Sequence, residues 1–311
     1  MTRFFLDICD NPFILRSLLA MIFGAIACGM VGTYVVLRRN SYMVGAVSHS
    51  LLGGIGLAVF AKHFFHCAWL TPWTGALVAA IIVSLALTWL TYRLNMREDT
   101  VLSAVWAIGM AIGITFIQAI PGYSKDINSF LFGSILMISH TDLVVMIWLD
   151  IFLVVMAAVC HQRFIVFCFN RELLTLRGIS MVKIALMLNL MTALTIVILA
   201  QVVGIVLCMA LLILPVATAS IFSRNIPAIM LLGGLLCLAC CLGGVIFSYE
   251  PLPNGALLSP CATIIELAGT IFLIALLIRW LVRLFRKPPR EIAAEDCSRP
   301  ENEGVTDIAK Q

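Results

Sequence analysis

The amino-acid sequence predicts an all-α fold, a polytopic membrane helical bundle with about nine transmembrane helices, the length allowing eight to ten. Three observations carry that expectation. Hydrophobic residues make up 62% of the 311 and charged residues only 12%, where an ordinary soluble domain has about half and a quarter; the mean hydropathy is +1.08. Apolar runs recur at the length of about 20 residues that a helix needs to cross the hydrocarbon layer. The basic residues gather on alternate connections between those runs, as the positive-inside rule requires of a membrane protein.

Charged and turn residues divide the chain in order. The first run, 13–37, follows Asp7 and Asp10, where a cleavable signal would carry a basic flank, and no Ala-x-Ala site follows it; it reads as a span that ends at Arg38 and Arg39. Spans are expected at 41–61, 71–92, 101–120 and 142–160. Those at 184–203 and 204–222 are divided by Gly204 alone. The last two are 226–248 and 257–282. Two segments are not plain spans. Residues 121–140 hold an apolar core, Phe130–Ile138, that is too short to cross, which makes this an interfacial or re-entrant piece. Residues 161–183 read as the longest internal loop. Within it Leu173, Leu174 and Leu176 alternate with Arg171, Glu172 and Arg177 ahead of a helix stop at Gly178, the pattern of a short amphipathic helix at the membrane surface. Pro288 and Pro289 end the last helix, so residues 1–287 form the transmembrane domain and 288–311 a polar, disordered cytoplasmic tail.

Nine spans put the termini on opposite sides. With the N-terminus outside, the inner connections hold Arg38, Arg39, Arg93, Arg97, Arg163, Arg171, Arg177, Lys183 and Arg224, then Arg279, Arg283, Arg286, Lys287 and Arg290. The outer ones hold Arg3, Arg16, Lys62 and Lys125. The C-terminus is therefore expected in the cytoplasm.

Several chemistries are disfavoured. None of the lysines at 62, 125, 183, 287 and 310 follows a glycine-rich phosphate loop, so the chain has no visible means of hydrolysing nucleotide. It also lacks a G-x-S-x-G elbow and an H-E-x-x-H pair, which argues against an enzyme. No basic stripe alternates with aromatics, so no nucleic-acid partner is expected. Cys28, Cys160, Cys208, Cys237, Cys240, Cys241 and Cys261 lie inside apolar runs, where thiols act as small hydrophobes.

Polar groups inside spans are costly in lipid and mark interiors or pathways. His49 falls within the second span between Ser48 and Ser50, with Gly45, Gly53, Gly54 and Gly56 nearby. It reads either as a metal ligand with room for an ion or as a histidine bonded to a neighbouring helix carbonyl. Glu266 in the last span is a second ligand, a proton-handling group or a structural partner, and Asp150 is a weaker candidate. His63 and His66 at the outer mouth are candidate feeder ligands. Asn189, Thr192 and Thr195 share a helix stripe suited to interhelical hydrogen bonds, and the glycine pairs 53–54, 233–234 and 243–244 suit close helix packing.

Four strings together carry a resemblance: GTYVVLRRNSYMVGAVSHSLLGG (32–54), INSFLFGSILMISHTDL (127–143), MTALTIVILAQVVGIVLCMALLILPVATA (191–219) and, more weakly, YEPLPNGALLSP (249–260). Across residues 13–282 the chain resembles the integral membrane permeases of ABC-type importers for zinc, manganese and iron. The resemblance implies a bacterial inner-membrane permease, paired with a second copy or a paralogue. It further implies a cytoplasmic ATPase subunit as partner and an extracytoplasmic metal-binding protein that delivers the ion. No cofactor is implied; the divalent metal ion is cargo. Residues 171–182 resemble the helix that couples such permeases to the ATPase, with Glu172, Leu173, Leu174, Leu176, Arg177 and Gly178 in that role. Pro215 matches a proline that interrupts a span in the family. His49 matches the histidine of the family's Asp-x-x-x-His pair, but Gly45 stands where the aspartate belongs, and Glu266 is the expected replacement. The competing readings are a permease for metal chelates such as siderophores or cobalamin, and a proton-coupled secondary transporter using His49 and Glu266.

Overall fold

A computed structural model describes residues 12–65, 70–120, 138–248 and 258–285. The described residues form ten helices: α1 (Pro12–Leu37), α2 (Tyr42–Phe65), α3 (Pro72–Tyr92), α4 (Glu98–Gln118), α5 (His140–Phe169), α6 (Arg171–Leu176), α7 (Met181–Val203), α8 (Ile205–Phe222), α9 (Ile226–Ser248) and α10 (Pro260–Phe285). Among them, nine are long and apolar enough to cross a membrane, and α6 is a six-residue helix between two of these. The all-α bundle expected from the sequence is the fold observed.

Most limits agree with the sequence to within a few residues, and α5 is the exception. It runs to Phe169, so the predicted loop at 161–183 shrinks to residues 170–180 around α6. The charge at 161–163 suggested an exit from the membrane, but the helix continues because Phe164 and Phe167, three apart on one face, are fully buried. Phe164 meets the Tyr34 ring edge-on at 5.3 Å, and the Tyr34 hydroxyl lies 2.7 Å from His161 Nδ1. Arg163 stays on the outer face. Of the expected interfacial piece at 121–140, residues 121–137 lie outside the described residues, as does the tail at 288–311.

At the centre is α7, in which every described residue from Met191 to Ala200 is buried. A helix that carries no charge between Ile184 and Val203 suits that place. It packs against α1, α2, α3, α5 and α8. Glycines let the surrounding helices approach backbone to backbone. A Cβ at Gly53 would come 2.7 Å from the Gly109 carbonyl, and one at Gly56 2.7 Å from that of Gly113, so Gly53 and Gly56 of α2, three apart, meet Gly109 and Gly113 of α4, four apart. A Cβ at Gly29 of α1 would likewise meet Gly234 of α9 at 2.8 Å. The glycine pairs do serve close packing.

The Thr192 and Thr195 hydroxyls do not reach across to other helices. They donate to the carbonyls of Leu188 and Met191 one turn back, both at 2.9 Å, the local bond that keeps such hydroxyls satisfied in a helix. Asn189 is the member of the stripe that crosses, donating to Thr88 Oγ1 at 3.0 Å. Gly204 ends α7 and begins α8 at once. Its φ of 90° suits glycine, its N–H donates to the Ala200 carbonyl, and its carbonyl accepts from Cys208 N–H.

Candidate functional site

His49 lies two turns into α2 and stacks face to face on the Trp106 indole of α4, with centroids 4.9 Å apart and planes 9° from parallel. Its Nδ1 is buried with no hydrogen-bond partner among the described residues, and the buried hydroxyl of the neighbouring Ser48 has only the Cys208 thiol of α8 beside it. Buried polar atoms are nearly always paired, so an unpaired imidazole nitrogen inside a membrane helix makes His49 a candidate ligand. One turn earlier, a Cβ at Gly45 would sit 3.3 Å from the Trp106 ring and 3.4 Å from Met209 Sδ of α8. The indole and the thioether fill the ground beside His49 where an acidic side chain would stand.

The other candidate ligands lie apart from this point. Glu266 is on the exposed side of α10. Its helix packs on α8 and α9, and α2 packs on α3, α4, α7 and α8. His63 is exposed near the far end of α2, with its ring edge-on to Phe64 at 5.3 Å, about 21 Å along the helix from His49 at 1.5 Å per residue. His66 lies outside the described residues. No group of three or more His, Cys, Asp or Glu among the described residues is placed to hold a metal ion. Asp150 is 3% exposed on α5, and neither of its carboxylate oxygens has a hydrogen-bond partner among the described residues.

A second polar centre was not anticipated. Arg38, assigned by its sequence position to the basic inner surface, is 8% exposed. It forms an ion pair with Glu98 at the start of α4, and Nη1 donates to Asn189 Oδ1 of α7 at 2.9 Å. Nη2 is 3.4 Å from the Tyr92 hydroxyl of α3, and the guanidinium lies over the Phe167 ring of α5 at 5.2 Å. Asn40 Nδ2 adds a bond to the same Glu98 oxygen at 2.6 Å. One arginine thus ties together the ends of α1, α3, α4, α5 and α7. The available signal was Glu98, an acid among arginines at that end of the bundle.

The short helix α6 divides the residues expected to act together. Leu174 is 1% exposed and Leu173 half-buried, whereas Leu176 is 84% exposed and Arg177 lies beside it in the open. Gly178 stops the helix at φ 68°. The side chain of Glu172 is outside those described.

The chain matches the model of the ABC 3 transport family over residues 10–279. It is 35% identical over 238 residues to a protein of Chlamydia trachomatis named "Probable metal transport system membrane protein", covering 76% of this chain and 81% of that one. It is 30% identical to the chelated iron transport system membrane protein YfeD of Yersinia pestis, covering 86% and 85%. It is 28% identical to the manganese transport system membrane protein MntC of Halalkalibacterium halodurans, covering 88% and 90%. Its fold resembles a chain in a structure of PsaBC from Streptococcus pneumoniae in complex with Fab, with a TM-score of 0.77, 23% identity and coverage of 91% of this chain and 99% of that one. The spanning helices, the length of the match and the relatives agree: this chain belongs to the ABC 3 transport family and is a membrane-spanning permease of it.

Proposed function

We propose that the permease carries a divalent transition-metal ion into the cytoplasm past His49, with ATP hydrolysed by a separate subunit. The observation that carries the reading is the buried His49 Nδ1, inside a spanning helix and without a hydrogen-bond partner among the described residues. Imidazole nitrogen suits zinc, manganese and iron alike, and the names of the relatives favour manganese or iron. A single imidazole without an acid beside it makes a weak stop, which suits conduction, since a transported ion must leave as readily as it enters. The N-terminus is outside and the C-terminus cytoplasmic, which puts α6 in reach of the ATPase: Leu176 and Arg177 face outward to it, and Leu174 anchors the helix in the bundle. An extracytoplasmic binding protein delivers the ion, and a second permease chain, identical or paralogous, completes the path. Glu266 serves as a ligand in an assembly whose second chain covers its face of α10, because a carboxylate turned to lipid is costly. His63, near the far end of α2, lies toward the entry.

The test is ATP-dependent uptake of manganese, iron and zinc in vesicles holding the permease with its ATPase. His49→Ala is expected to abolish uptake while the protein still assembles with the ATPase. Undiminished uptake overturns the reading, and uptake without ATP or ATPase would favour proton coupling.

A further inference from the structure

We infer that the basic end of the bundle holds a specific site for the headgroup of an anionic phospholipid, between α8 and α10. A cavity of about 370 Å³ is lined there by Phe222, Arg224, Ile278, Arg279, Val282 and Arg283, among others. The three arginines come from two places in the chain. Arg224 belongs to the turn after α8, and Arg279 and Arg283 are one turn apart on the last turns of α10. None of the three makes a hydrogen bond or ion pair with a described residue. A general inward bias of charge scatters arginines around the rim of a membrane protein; here three converge on one hollow.

The apolar residues around the arginines define the ligand. Ile274, Ile278 and Val282, each one turn from the next, form an exposed ridge leading from the membrane interior to the arginines, and Phe222 is exposed at the other wall. Trp280, also exposed on this last stretch of α10, is of the residue type that settles at the headgroup level. A phosphate at the arginines with acyl chains along the ridge satisfies both halves of the site, and basic hollows between spanning helices take such headgroups. A free phosphate ion would use the arginines and leave the ridge bare. The acidic residues after Arg290 are the competing occupant within the chain.

Native mass spectrometry of the full-length permease, with phosphatidylglycerol and phosphatidylethanolamine of matched chains added, tests the site. The parent protein is expected to retain phosphatidylglycerol about tenfold over phosphatidylethanolamine, and the combined variant R224Q, R279Q and R283Q to bind it about a hundredfold more weakly. A control that removes equal charge at the same end, R93Q, R97Q and R163Q, is expected to keep the parent preference. Inorganic phosphate is expected not to displace the lipid. Equal retention of the two lipids, equal loss in the control, or displacement by phosphate overturns the proposal. So does a full-length chain that takes up phosphatidylglycerol only after the acids at 291, 295, 296, 301, 303 and 307 are neutralised.

Discussion

A carboxylate with no partner adds nothing to the stability of the helices around it. Asp150 has both oxygens buried and no hydrogen-bond partner among the described residues, and burying such a group costs free energy that only pairing or ligation offsets. Asp150→Asn, close in shape, is therefore expected to leave the thermal unfolding midpoint unchanged or raise it, as read by fluorescence size-exclusion after heating. A marked fall would reveal that the charge has a partner. Arg38 is the opposite case. It is buried among partners from four other helices, so removing Glu98 leaves its charge uncompensated. Glu98→Ala is expected to cost about 3 kcal/mol, seen as a lower midpoint in the same assay, and Glu98→Asp to recover part of it.

Helix contacts make predictions of their own. At the α2–α4 crossing the space for a side chain at position 109 is taken by Ser50, whose Cβ would lie 2.8 Å from an added Cβ. Gly109→Val is expected to destabilise the bundle by about 1–3 kcal/mol, measured as loss of monodisperse protein on heating. In α6 the two leucines should separate cleanly. Leu174→Ala is expected to destabilise by about 2–4 kcal/mol through a cavity. Leu176→Asp is expected to spare the fold and to lose co-purification with the ATPase. The spanning helices themselves were legible in the sequence, because apolar runs ending in charges or glycine are a local signal; even the division at Gly204 could be read. The length of α5 could not, since Arg163 looks like an exit until Phe164 and Phe167 are known to be buried against Tyr34. His49 stood out as a polar residue in a span, but its Trp106 platform depends on the crossing of α2 over α4, and Arg38 looked like surface charge for the same reason. Which leucine of α6 faces outward depends on how the helix docks, and periodicity over six residues does not decide that.

For the whole molecule, the nine spans among the described residues and the arginines gathered at one end predict a cytoplasmic C-terminus. Green fluorescent protein fused after residue 311 is expected to fluoresce, and alkaline phosphatase at the same place to be inactive. The reverse pattern would put α6 on the wrong side for an ATPase and remove the coupling role of Leu176. The same bundle carries its own optical gauge. An indole lying flat on an imidazole emits according to the state of that ring, so Trp106 should brighten or dim as His49 takes up a metal ion or a proton, and again if α2 slides over α4. With the other five tryptophans replaced by phenylalanine, the fluorescence of one residue would test, without any label, whether the ion passes His49.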